Sequence, residues 1–140
     1  MKRFFTAIMV IATIGTVSTI TSCTKTCDTG YEGSNCKTEV RAKYLGNFNG
    51  TESCTTGTST IAVNVITVAG DVTKVTFFNL YGAGFNTTGT VQADGTITIA
   101  TQTFGTGSIS GSATINAGKV KVTYVVTAGG AADNCTWTQS

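Results

Sequence analysis

The chain has 140 residues, a length that favours one main domain. Charged side chains make up only 11%, and histidine is absent, which excludes Ser-His and Cys-His nucleophilic pairs. The formal charge of +2 disappears once Lys2 and Arg3 are assigned to a removable leader, since seven of the nine basic side chains then face seven acidic ones. A neutral mature chain offers no electrostatic ground for binding nucleic acid or anionic lipid through its net charge. Threonine fills much of the gap, at about a fifth of the chain, and favours pleated surfaces. Proline is absent.

The leader comes first. MKRFF is a short basic start, and Ala7 to Ile20 follows as an apolar stretch diluted by Thr13, Thr16, Ser18 and Thr19. It is too short and too polar for a membrane span, and it reads as a signal helix over residues 1–22. ITSC, Ile20 to Cys23, then resembles the lipobox of bacterial lipoproteins: an aliphatic residue, two small residues and a cysteine. The resemblance implies cleavage before Cys23 and acylation of its thiol with diacylglycerol, followed by a palmitate-type chain. The competing reading is an ordinary secretory signal cut nearby, with Cys23 left for a disulfide. Cysteine counting favours acylation. Five cysteines in an exported protein leave one over, and lipidation of Cys23 removes it.

Residues 23–42 are polar and charged, without an apolar run, and read as a tether carrying one stapled loop. From residue 43 the pattern turns to β. Short alternating runs predict strands at Tyr44–Cys54, Ser59–Val68, Val72–Leu80, Thr87–Gln92, Thr96–Ala100, Thr106–Asn116, Val120–Ala128 and Asn134–Thr138. Asp94-Gly95 is a hairpin signal, because both residues tolerate positive φ. Short turns imply antiparallel neighbours, since parallel strands need long crossovers. The expected fold is therefore all-β: a small antiparallel up-and-down β-barrel of about eight strands over residues 43–140. A two-sheet sandwich is the alternative. Closure is preferred because neither edge strand carries protective charge.

In such a barrel the first and last strands are neighbours. Cys54 then pairs with Cys135, and Cys27 with Cys36 locally; the other pairings would tie the tether to the barrel. The long bridge is worth roughly 4–5 kcal/mol in the chain-entropy model.

CDTGYEGSNC, Cys27 to Cys36, is similar to the last loop of EGF-like modules, through Cys27, Gly30, Tyr31, Gly33 and Cys36. The upstream cysteines of that family are missing, with Lys25 standing where one is expected, and so is its acidic calcium signature. The resemblance thus implies a stapled hairpin without calcium binding. Lipobox, truncated loop, the charged KTEVRAKYLGNF segment and a Cys-tied β domain together resemble a group of small Bacteroidetes-type lipoproteins with a lipocalin-like barrel. That implies a place in the cell envelope, anchored to a membrane through Cys23, with the outer membrane expected and its face left open.

No catalytic residue, cofactor site or metal site emerges. The cysteines lack zinc spacings, and Gly105 to Gly111 has no phosphate-loop lysine. Glu52 is the one acid around which a paired-carboxylate site could be imagined. Phe77, Phe78, Tyr81 and Phe85 cluster around two glycines. Phe77, Tyr81 and Phe85 are the candidate contacts for a sugar or small apolar ligand, against the plainer reading that they fill a core. The function expected is a non-enzymatic structural or interaction role at the envelope, with an envelope protein or glycan as partner. Lipocalin-like binding of a small ligand is the alternative.

Overall fold

The computed structural model describes residues 26–84 and 86–140. The leader, Cys23 and Phe85 lie outside the described residues.

A two-residue pair, β1 (Tyr31–Glu32) and β2 (Thr38–Glu39), holds the stapled loop, and a 3-10 turn follows at Val40–Tyr44. The barrel then runs through β3 (Gly46–Cys54), β4 (Gly57–Val68), β5 (Asp71–Phe78), β6 (Asn86–Val91), β7 (Ile97–Phe104), β8 (Gly107–Asn116), β9 (Lys119–Ala128) and β10 (Ala131–Gln139). Each strand pairs antiparallel with the next, and β10 pairs with β3 to close the sheet. The result is a closed eight-stranded up-and-down barrel. Every connection is short, so each strand finds its sequence neighbour. Closure leaves no exposed strand edge to protect.

Alternation sorts the side chains. One face of every barrel strand turns inward, and Val63, Val65, Val75, Phe77, Ile97, Ile99, Ile109, Val122, Tyr124 and Trp137 are all buried. The outward face is largely threonine, serine and asparagine, with Lys74, Lys119 and Lys121 among its few charged side chains. Room for the large interior groups comes from inward glycines. A Cβ on Gly50 would lie 2.5 Å from Trp137 Cζ2, and one on Gly111 would lie 2.6 Å from Tyr124 Cβ. Gly89 yields similarly to Ile97 and Phe77. The interior is thus a packed core.

Both bridges join the cysteines that the strand layout pairs. Cys54 and Cys135 sit opposite each other across the β3–β10 seam, and Cys27 is bonded to Cys36. The first bridge spans a sequence separation of 81 at the seam where the sheet closes on itself.

Three local features differ from the sequence pattern. The first barrel strand starts at Gly46 rather than Tyr44, because residues 40–44 wind into the 3-10 turn. That turn swings Tyr44 under the barrel, where its hydroxyl donates to the Gly95 carbonyl at 2.8 Å. β7 continues to Phe104, four residues past the predicted end, because a bulge between Ile99 and Gln102 hides the alternation. In the Asp94-Gly95 turn only Gly95 has positive φ, at 82°. Asp94 instead accepts the Thr96 N–H at 2.9 Å and the Thr96 hydroxyl at 2.7 Å.

Near that bulge the β6–β7 ladder thins to two residue pairs, Thr90 with Thr98 and Val91 with Ile97. The Gln102 side-chain amide fills in. It accepts the Thr88 N–H at 2.8 Å and donates to the Thr88 carbonyl at 2.7 Å.

The stapled loop is docked against one end of the barrel. Val40 N–H donates to the Gly30 carbonyl at 2.9 Å, and the Lys43 ammonium lies 2.9 Å from Glu32. Arg41, 7% exposed, directs one guanidinium nitrogen at the carbonyls of Val68, Asp71 and Lys74 at 3.2, 2.6 and 3.1 Å. Its Nε meets Glu39 at 2.8 Å. One cation thereby satisfies three carbonyls around the β4–β5 turn and caps that end.

Candidate functional site at the barrel rim

The opposite end of the barrel is open to solvent and polar. It is formed by the β3–β4 turn at Thr55 and Thr56, the loop after β5 and the start of β10. Alternation along β3 that turns Gly50 inward also turns Glu52 inward. Glu52 is 4% exposed. Tyr124, inward on β9, donates its hydroxyl to Glu52 Oε1. The Tyr81 N–H lies 2.9 Å from the same oxygen and 3.0 Å from the Tyr124 hydroxyl oxygen. Ser59 reaches Glu52 Oε2 at 3.4 Å.

Tyr81 is carried by a strained loop. Asn79 and Tyr81 both have left-handed backbones, with φ of 69° and 63°. Asn79 compensates through its side chain, which donates to the Ala62 carbonyl at 3.0 Å and accepts the Gly84 N–H at 3.2 Å. Leu80 plugs the core beneath. This geometry points the Tyr81 N–H at Glu52 and its hydroxyl at Asp133 Oδ2, 3.0 Å away. Asp133 also accepts the hydroxyls of Thr55 and Thr56. Glu52, Tyr124, Tyr81, Asp133, Thr55 and Thr56 thus form one hydrogen-bonded chain across the rim.

The electrostatics follow from these contacts. The Thr55 and Thr56 hydroxyls hold the Asp133 carboxyl down at about 2. Burial, then the hydrogen bond to Glu52, pushes the Tyr124 phenol well above its ordinary value. The hydrogen bond to Asp133, then burial, raises that of Tyr81. Both phenols are therefore donors throughout the physiological range. A cleft of about 250 Å³ opens beside them, lined by Glu52, Cys54, Thr56, Gly57, Thr58, Ser59 and Tyr81. A broader cleft of about 370 Å³ lies on the outer wall along β8, β9 and β10 and holds no charged group.

The residues singled out from sequence fall in different places. Phe77 is 0% exposed and belongs to the core. Tyr81 is half-buried and lines the rim cleft. Phe85 and Cys23 lie outside the described residues. Cys54 and Cys135 come close to Asp133, but their sulfurs are bonded to each other and offer no thiolate to a metal. Sequence reasoning passed over Tyr124 and Asp133. The signal was present as parity: Asp133 lies two residues before Cys135 on the Cys135–Trp137 face, and Tyr124 two after Val122.

Fold and site define the class as a disulfide-tied, up-and-down β-barrel with one capped end and one polar rim. No protein-family model matches the chain, and comparison with curated proteins and with solved structures gives no match.

Proposed function

We propose that this chain is a bacterial envelope lipoprotein, held to a membrane by acyl groups on Cys23, whose barrel serves a non-enzymatic structural or interaction role. The observation that carries the reading is the pairing of the cysteines. Cys27, Cys36, Cys54 and Cys135 bond among themselves, so the odd cysteine of the chain is the one that ends ITSC. Two disulfides also suit an oxidising, exported compartment. Two or more acyl chains, at about 0.8 kcal/mol per buried methylene, hold a protein stably on a bilayer. A chain carrying Cys23→Ala should leave the membrane fraction for the soluble one. Its retention on membranes at the wild-type level sinks the proposal.

The rim cleft favours a second reading, binding of a small ligand. Its lining is a carboxylate, hydroxyls and one tyrosine, which suits a sugar-sized polyol better than an apolar molecule. The barrel axis is taken by Trp137, Tyr124, Phe77 and the isoleucines, so the lipocalin-like version of this reading moves from the interior to the mouth. Native mass spectrometry of the purified protein, with and without added monosaccharides, tests it. A retained sugar mass that Tyr81→Ala abolishes is the expected result, and no adduct at millimolar sugar refutes it.

A further inference from the structure

The two ends of the barrel differ in more than shape. Up-and-down topology puts the β4–β5, β6–β7 and β8–β9 turns at the end covered by the stapled loop. It puts the β3–β4, β5–β6, β7–β8 and β9–β10 connections at the other. Thr26 lines a crevice of about 170 Å³ between the loop and Gln92–Ala93, at the covered end. Only three peptide steps separate Cys23 from Thr26, a reach of at most about 11 Å. The loop is not free to swing away. The Cys27–Cys36 bridge stiffens it internally, the Val40–Gly30 hydrogen bond and the Lys43–Glu32 pair join it to the 3-10 turn, and Arg41 ties that turn to the β4–β5 end of the barrel.

Charge is sorted the same way. Lys37, Arg41, Lys43, Lys74, Lys119 and Lys121, all the described basic side chains, lie at the covered end or on the strand halves nearest it. Glu39, Glu32 and Asp71 there are paired with Arg41, Lys43 and Lys74. That leaves Lys37, Lys119 and Lys121 against Asp28 and Asp94. The rim carries Glu52 and Asp133, both buried and both without a cation among the described residues. Without Lys2 and Arg3 the mature chain is close to neutral, yet its ends are of opposite sign.

We propose that the covered end is the surface that rests on the phospholipid headgroups, so that the barrel stands upright and presents the Glu52–Tyr81–Asp133 rim away from the bilayer. This rests on acylation of Cys23. The short leash fixes which end is near, and the docked loop keeps Thr26 at that end. The barrel is about 20–25 Å tall, from ten-residue strands tilted in a small barrel. That exceeds the screening length of about 8 Å at physiological salt. Headgroups therefore act on Lys37, Lys119 and Lys121 and not on the rim carboxylates, and an anionic leaflet favours the upright pose.

The test uses the acylated full-length protein in lipid nanodiscs containing a phospholipid with a spin-labelled headgroup. Methyl signals of Val40, Val68 and Val120 report the covered end, and those of Leu80, Ile109 and Val126 the rim half. Paramagnetic relaxation falls with the inverse sixth power of distance. Over the height given above, the covered-end methyls should relax at least about fivefold faster than the rim methyls. Equal rates, or faster relaxation at the rim, overturn the proposed pose. Intact mass of the same sample separates the two claims. A chain with no acyl mass overturns the lipoprotein reading and the pose with it, whereas an acylated chain with the reversed ranking overturns the pose alone.

Discussion

Gly50→Ala probes the packed interior directly. The new methyl would lie 2.5 Å from both Trp137 Cζ2 and the Thr138 carbonyl oxygen. The ring cannot turn aside easily, since Trp137 is fully buried and its Nε1–H donates to the Ile61 carbonyl at 3.3 Å. The carbonyl belongs to β10, whose ladder to β3 closes the barrel. Relief therefore requires the closing seam to open by roughly an ångström. Overpacking of this kind costs typically about 1–3 kcal/mol. Alanine recovers about 0.4–1 kcal/mol by restricting the unfolded chain, because Gly50 does not have a positive φ. Because a backbone carbonyl is in the way, the upper part of the overpacking range applies, and the net is a loss of about 1–2 kcal/mol. At roughly 4–8 °C per kcal/mol for a domain of this size, Tm should fall by about 5–15 °C. Urea unfolding of the disulfide-intact protein, followed by Trp137 fluorescence, measures the free-energy loss, and a thermal melt with the same signal measures the shift in Tm. A variant as stable as wild type, with an unshifted emission maximum, would mean that the seam has slack. The interior would then have room that a small ligand could use.

Further outcomes are expected elsewhere in the molecule. Arg41→Ala should cost about 2–3 kcal/mol in chemical denaturation, since three carbonyls lose a charged donor; Arg41→Lys should recover only part of it, lacking the planar fork. Tyr124→Phe leaves the buried Glu52 carboxylate without its phenol donor and should cost about 1–3 kcal/mol by the same assay, and a neutral result would show that water replaces the phenol freely. Asp133 has a lowered folded value, so its contribution is present above about pH 4 and is lost as pH falls toward 2. Acid unfolding of Asp133→Asn should therefore show a shallower loss of stability across that window than wild type, and an identical profile contradicts the rim network.

Strand count, antiparallel order, closure and both bridges were legible in the sequence, because alternation, short turns and even cysteine pairing point the same way. Tyr44 shows where that reading ends. Its parity suits a strand, but its hydroxyl finds a better place at Gly95, which only the assembled barrel provides. Gln102 shows another limit: a bulge shifts the alternation, so the strand looks to end where it continues. The rim network is a third case. Glu52 is an unremarkable acid in one dimension. Its burial depends on β3 lying beside β10 and on a loop in which Asn79 and Tyr81 accept left-handed backbones. Nothing local in FFNLYGAG announces that strain, because neither residue is glycine.

The proposed anchoring meets its most direct test in the intact mass of the wild-type chain extracted from membranes with detergent. Anchoring through Cys23 predicts a chain beginning at that residue, heavier than its amino acids by a diacylglyceryl group and a further acyl chain, with Cys27, Cys36, Cys54 and Cys135 oxidised. A mature chain with an unmodified Cys23, or one cleaved elsewhere and free of lipid, would contradict it.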